Sequence, residues 1–217
     1  MIFLIVGLVA YAIGLIAWIP ARALISERAN LRVGGTIWRG EAVLASTIRI
    51  DWSFAPLTTL ANLAFSADWR MTGGGTDLAG SATQGGDVVK LERISGQADG
   101  TLLDALAPRL PIQCRFLADL AIQKLVFGGV AQQLRGTART SPASCSARAF
   151  DAPAINLPAL RAEMAPSGPA GSIGALMTSI RREHLVEFRL SRGGAVSIWP
   201  TASAVRLAPA LAAMRYD

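Results

Sequence analysis

Strict two-residue alternation of apolar and polar side chains is the feature that most constrains this chain. Over residues 47–54, Ile48, Ile50, Trp52 and Phe54 share one parity, while Thr47, Arg49, Asp51 and Ser53 share the other. Successive side chains on a strand point to opposite faces, so the segment reads as a strand with one buried face and one wet face. Ala55-Pro56 ends it, because proline donates no ladder hydrogen bond. Upstream, Gly34-Gly35 permits a tight reversal and Gly40 a second irregularity, with residues 36–39 as a short strand between them.

The same pattern recurs along the chain. Phe65, Ala67, Trp69 and Met71 alternate with Ser66, Asp68 and Arg70, so residues 64–71 are a strand that Gly73-Gly74-Gly75 turns back. Residues 78–83 and 88–98 continue the sheet. From Cys114 onward, Cys114, Phe116, Ala118, Leu120 and Ile122 share a face, which predicts one strand, turned at Gly128-Gly129 and returned by residues 133–140. Strands follow at 172–178, 185–191 and 195–199, the last two joined by Arg192-Gly193-Gly194. Short helical turns fit 56–63, 102–107 and 207–214. The Pro- and Ala-rich stretch 151–170 predicts an irregular connection with a short helix over 157–164. The 21 Gly and 11 Pro of the 217 residues break these segments often, as an all-β body requires. The fold class is therefore mainly β: an open, twisted antiparallel sheet with short helical connections, behind one N-terminal transmembrane helix.

That helix is the reading of residues 1–19, MIFLIVGLVAYAIGLIAWI, which carry no charged side chain. As a helix they span about 30 Å, the thickness of a bilayer's hydrocarbon core. Trp18 stands at the interface position and Pro20 stops the helix. A cleaved signal peptide is the rival, since Ala21-Arg22-Ala23 fits a small-x-small site. The apolar run is long for that, and no basic residue precedes it. The expected organisation is an anchor at 1–20, a linker at 21–30 and a β domain at 31–217, with a sub-boundary near 141–170.

The net charge is +6, and the positive charge is nearly all arginine spread singly along the chain, with Arg181-Arg182 the only adjacent pair. Nucleic-acid binders concentrate such charge on one face with aromatics between, so no nucleic-acid partner is expected; attraction to anionic headgroups is. No catalytic constellation stands out. The lone His184 opens a strand, and Cys114 and Cys145 are too few for structural zinc. Residues 75–80 are glycine-bearing but precede strand sequence where a phosphate loop must open a helix. No enzyme activity, cofactor or metal is expected. Cys114 and Cys145 flank an expected strand pair whose ends meet, which makes a disulfide the natural reading in an oxidising compartment.

The motif Gly35-Thr36-Ile37-Trp38-Arg39-Gly40-Glu41-Ala42, followed by Trp52-Ser53-Phe54-Ala55-Pro56-Leu57 behind an apolar N-terminal segment, resembles the type II secretion system protein N family. Gly35, Thr36, Trp38, Gly40, Trp52 and Pro56 carry the likeness, and Leu134-Arg135-Gly136-Thr137 extends it loosely. The resemblance implies a non-enzymatic, single-pass inner-membrane protein whose β domain lies in the periplasm. Its partners would be the inner membrane and other secretion components. The arginines after the apolar run (Arg22, Arg28 and Arg32) point the other way under the positive-inside rule. A second function class is open: an apolar sheet face that binds lipid or another amphiphile, lined by Trp38, Trp52, Phe54, Trp69 and Phe116. The discriminator is whether protein covers that face.

Overall fold

The structure, a computed structural model, describes residues 18–23, 31–45, 47–106, 112–128, 132–147, 154–168, 171–191 and 196–207. The transmembrane helix expected at 1–19 falls outside these except for Trp18 and Ile19, as do the Arg192-Gly193-Gly194 connection and, except for Leu207, the helical turn expected at 207–214. Among the described residues no helix is long and apolar enough to cross a membrane.

Fifteen strands are described. Twelve form one open antiparallel sheet in the order β1 (Leu31–Gly35), β2 (Arg39–Leu44), β3 (Ile48–Phe54), β4 (Phe65–Gly73), β5 (Thr76–Gly85), β6 (Val88–Asp99), β8 (Leu117–Phe127), β9 (Gln133–Thr140), β12 (Leu160–Pro166), β13 (Ser172–Thr178), β14 (His184–Leu190) and β15 (Val196–Pro200). The sheet is a meander interrupted twice, between β6 and β8 and between β9 and β12: β7 (Ile112–Arg115), β10 (Ala143–Ala147) and β11 (Ile155–Leu157) leave it to make a second, three-stranded sheet. Two short helices serve as connections, α1 (Pro56–Asn62) and α2 (Gly100–Leu106), and a third, α3 (Ala202–Leu207), follows the last described strand.

The alternation sets the register. Gly40, Trp52, Trp69 and Gly80 are successive cross-strand partners, and so are Ala42, Ile50, Met71 and Leu78. All of these lie on one, apolar face. The other face carries ion pairs: Arg49 with Glu41 and Asp51, and Arg70 with Asp77 at 2.7 Å. Two bulges keep the apolar face continuous where the sequence slips phase. Arg93, at φ 55°, sits between Leu91, partner of Ala82, and Ile94, partner of Ile122. A second register shift between Ile122 and Lys124 lets Ile122 and Leu125 both pair across to β9.

Four expectations are corrected. Residues 36–39 are no separate strand: Thr36–Trp38 form the turn of the β1–β2 hairpin and Arg39 opens β2, with Gly35 at φ +80° and the Thr36 amide donating to the Arg39 carbonyl. Gly40 is no break. It lies inside β2 because the Trp52 indole covers it, leaving no room for a methyl group. The strand expected to run on from Cys114 splits at Phe116, so Cys114 and Ala118 belong to different sheets. Residues 157–164 are not helical. Leu160, Ala162 and Met164 alternate with Arg161 and Glu163 in β12, which pairs with both β9 and β13. Pairing to strands distant in sequence outweighs the helix propensity of Leu, Ala, Arg, Glu and Met.

Candidate binding groove

The strands have two ends. At the one called proximal here, the described N-terminal residues meet the β1–β2 turn: Pro20 bridges Thr36, and the Ile37 amide donates to the Ile19 carbonyl at 3.2 Å. The next residue, Trp38, packs edge-on against Phe54 with centroids 4.7 Å apart, and Phe54 stacks on Phe65 at 5.5 Å. The Trp38 carbonyl accepts the Phe54 amide at 2.7 Å. Two residues on, Pro56 opens α1 at its N-terminus, where its missing N–H costs nothing. Four of the six motif residues (Gly35, Thr36, Trp38 and Pro56) therefore build one corner, and Gly40 and Trp52 form its inner wall.

At the distal end the apolar face is closed. Leu102 and Ala105 of α2 pack on Ile48, Leu78 and Ala98, with Leu44, Met71 and Leu120 around them. Ile48 is 0 % exposed. The Asp99 carboxylate braces this end, accepting from the Gly75 amide at 2.9 Å, the Thr76 hydroxyl at 3.1 Å, and both the amide and hydroxyl of Thr101. Burial alone raises the Asp99 pKa; the hydrogen bonds from Thr101, Gly75 and Thr76 outweigh it and hold the carboxyl below its ordinary value. The three-stranded sheet adjoins α2 through β7, and its Cys114 and Cys145 are direct cross-strand partners joined by a disulfide, with Cα atoms 4.1 Å apart.

Proximally, none of the described residues gives the face a comparable cover. Ala21, itself 1 % exposed, touches down from the short turn Ala21–Ala23. Beyond it lies an open groove of about 540 Å³. Ile37, Trp52, Phe65, Trp69 and Ala82 line it, with Gln84 and Gly86 at its polar rim. Trp52, expected on the buried face, is on that face but only half-buried. The two indoles are cross-strand neighbours that splay apart, Trp52 over Gly40 and Trp69 over Gly80. A side chain at either glycine would push an indole into the groove. The Trp69 Nε1–H is buried with no hydrogen-bond partner, which is costly unless an occupant or water accepts it.

This arrangement suits an apolar occupant. The groove carries no titratable side chain, and among the described residues no group of His, Cys, Asp and Glu clusters as a metal site. His184 is exposed at the start of β14, where its carbonyl accepts from the Thr201 hydroxyl at 2.7 Å. Of the aromatics expected to line an apolar face, Trp52 and Trp69 line the groove, Trp38 and Phe54 back its corner, and Phe116 lies apart between the two sheets. Sequence reasoning missed Phe65, Ala82 and Ile37 as lining residues, although their parity in β4 and β5 placed the first two on the right face. No family model, curated protein or solved structure matches the chain.

Proposed function

We propose that this chain is a non-enzymatic accessory component of a type II secretion machine. Residues 1–19 anchor it in the inner membrane, the β domain stands in the periplasm, and the proximal groove receives an apolar segment of another secretion component. One observation carries the reading. The apolar sheet face, closed at one end by α2, stays open where the resemblance motif and the N-terminal segment meet. An uncovered apolar patch walled by indoles is a docking surface by chemistry, since leaving it wet forfeits the hydrophobic stabilisation of its side chains. The disulfide agrees with an oxidising compartment.

The open apolar groove also favours a second occupant, an acyl chain. Photo-crosslinking in cells separates the two. With p-benzoylphenylalanine in place of Ala82, a protein adduct containing a secretion component supports docking, and a phospholipid or fatty-acid adduct selects the second reading. The same residue in place of Ala105, under α2, should capture neither. Absence of any adduct at position 82 overturns both readings.

A further inference from the structure

Helix α1 is inside out. Its threonines face the sheet: Thr58 and Thr59 are half-buried, and the Thr59 hydroxyl accepts the Ser66 amide at 3.0 Å. Its leucines face away. Leu57 is 81 % exposed, Leu60 72 % and Leu63, at the left-handed C-cap, 93 %. A surface helix in water shows the opposite arrangement, with the apolar stripe on the protein and the polar face outward. From Phe54 to Ala67 no residue is charged.

The place of this helix names what covers it. α1 springs from the Trp38–Phe54–Phe65 corner, the same corner to which Ile19 and Pro20 are pinned. Immediately before them stands Trp18, 81 % exposed, at the end of the uncharged stretch 1–19. Arg22, two residues after Pro20, and Arg39, next after Trp38, are both exposed. Exposed leucines, an exposed indole and exposed guanidinium groups gathered at one corner are the side chains that a bilayer surface takes up. We infer that α1 is a second membrane contact: Leu57, Leu60 and Leu63 sink into the interfacial layer of the bilayer that holds the anchor, with Arg22 and Arg39 at anionic headgroups. This rests on the anchored reading above and adds to it a fixed orientation. The strands would stand with their proximal ends on the membrane, the groove mouth beside the lipid and α2 pointing away.

The test uses the full chain reconstituted in phosphatidylethanolamine–phosphatidylglycerol vesicles. Leu60→Cys is labelled with an environment-sensitive nitrobenzoxadiazole, and Leu57→Cys serves as an independent second position. Ile180→Cys is the comparison. It is 91 % exposed, and it lies at the distal end, because Thr178, two residues before it, pairs along the row that runs through Thr140 and Ala118 to Ala98. The native cysteines are joined to each other, so each variant offers one thiol. Labels at 57 and 60 should shift to the blue and be quenched severalfold more by nitroxide on shallow lipid carbons than the label at 180. A chain that floats with the vesicles but shows equal, weak quenching at 60 and 180 overturns the contact and leaves the anchor standing. A blue shift at 60 without lipid quenching overturns it in favour of a protein cover. A chain recovered free of vesicles overturns the anchor as well.

Discussion

The two ends of one sheet face behave differently although the strands that make them are the same. β3 carries Ile48 at its distal end and Trp52 near its proximal end, on the same face; the first is fully buried and the second half-exposed. β5 repeats this with Leu78 and Ala82. Nothing in the strands causes the difference. It comes from α2, the connection between β6 and β7, which lays Leu102 and Ala105 over the distal end, while among the described residues the proximal end receives Ala21. Whether an alternating strand makes core or site is decided by what a distant connection places on it.

The largest effect should come from cutting the closed end. Ile48→Ala removes a fully buried side chain from the contact with Leu78 and Ala98 and should cost about 2–5 kcal/mol. Trp52→Ala at the open end should cost less, about 1–2 kcal/mol, because part of that indole is wet in the folded protein. Chemical denaturation of both variants measures the contrast, and equal losses would break it. The disulfide belongs to the closed end. Its cysteines are 31 residues apart, so replacing both by Ser should lower stability by about 3–4 kcal/mol in the chain-entropy account. Crosslinking from position 82 should survive that change.

Gly40→Ala sharpens the open end. A methyl group there meets the Trp52 ring and the Gly34 carbonyl, so the variant should lose about 1–3 kcal/mol by overpacking and alter the groove wall. Gly85→Ala, whose methyl would meet Ala64 at 3.7 Å, should cost distinctly less in the same chemical denaturation. The smallest effect is electrostatic. Asp99 has a native pKa below its ordinary value, so its contribution is fully present above about pH 4 and is lost as pH falls through the lower native value. The midpoint difference between the protein and Asp99→Asn should therefore be larger at pH 7 than at pH 3. A difference that grows on acidification would contradict the bracing of the distal end.

Much of the sheet was legible because alternation is a local signal. Residues 47–54, 64–71, 88–98 and 133–140 became β3, β4, β6 and β9 with small changes at their ends. What failed needed long-range information. Gly40 reads as a break in sequence, yet an indole two strands' worth of sequence away makes it obligatory inside a strand. Gly80 under Trp69 and Gly174 under Phe188 are covered by a ring in the same way, inside strands that the alternation marks. Residues 160–166 carry helix-favouring side chains and become strand only because β9 and β13 flank them. The disulfide was anticipated from two strand ends meeting. The structure achieves it by diverting β7 and β10 into their own sheet, which the unbroken alternation through Phe116 concealed. The motif residues were visible as a motif; that they form one corner with the groove behind it required the fold.

The central claim is that one apolar face is sealed at one end and open at the other, and β5 holds a probe for each state. With the native cysteines tied in their bridge, Ala82→Cys and Leu78→Cys each give the folded full chain a single thiol, four residues apart on the same face. Alkylation by N-ethylmaleimide, followed by mass spectrometry, reads their access directly. The account predicts rapid modification at 82, slowed by a long-chain amphiphile, and none at 78 until the protein unfolds. Equal rates at the two positions, or faster modification at 78, would contradict it.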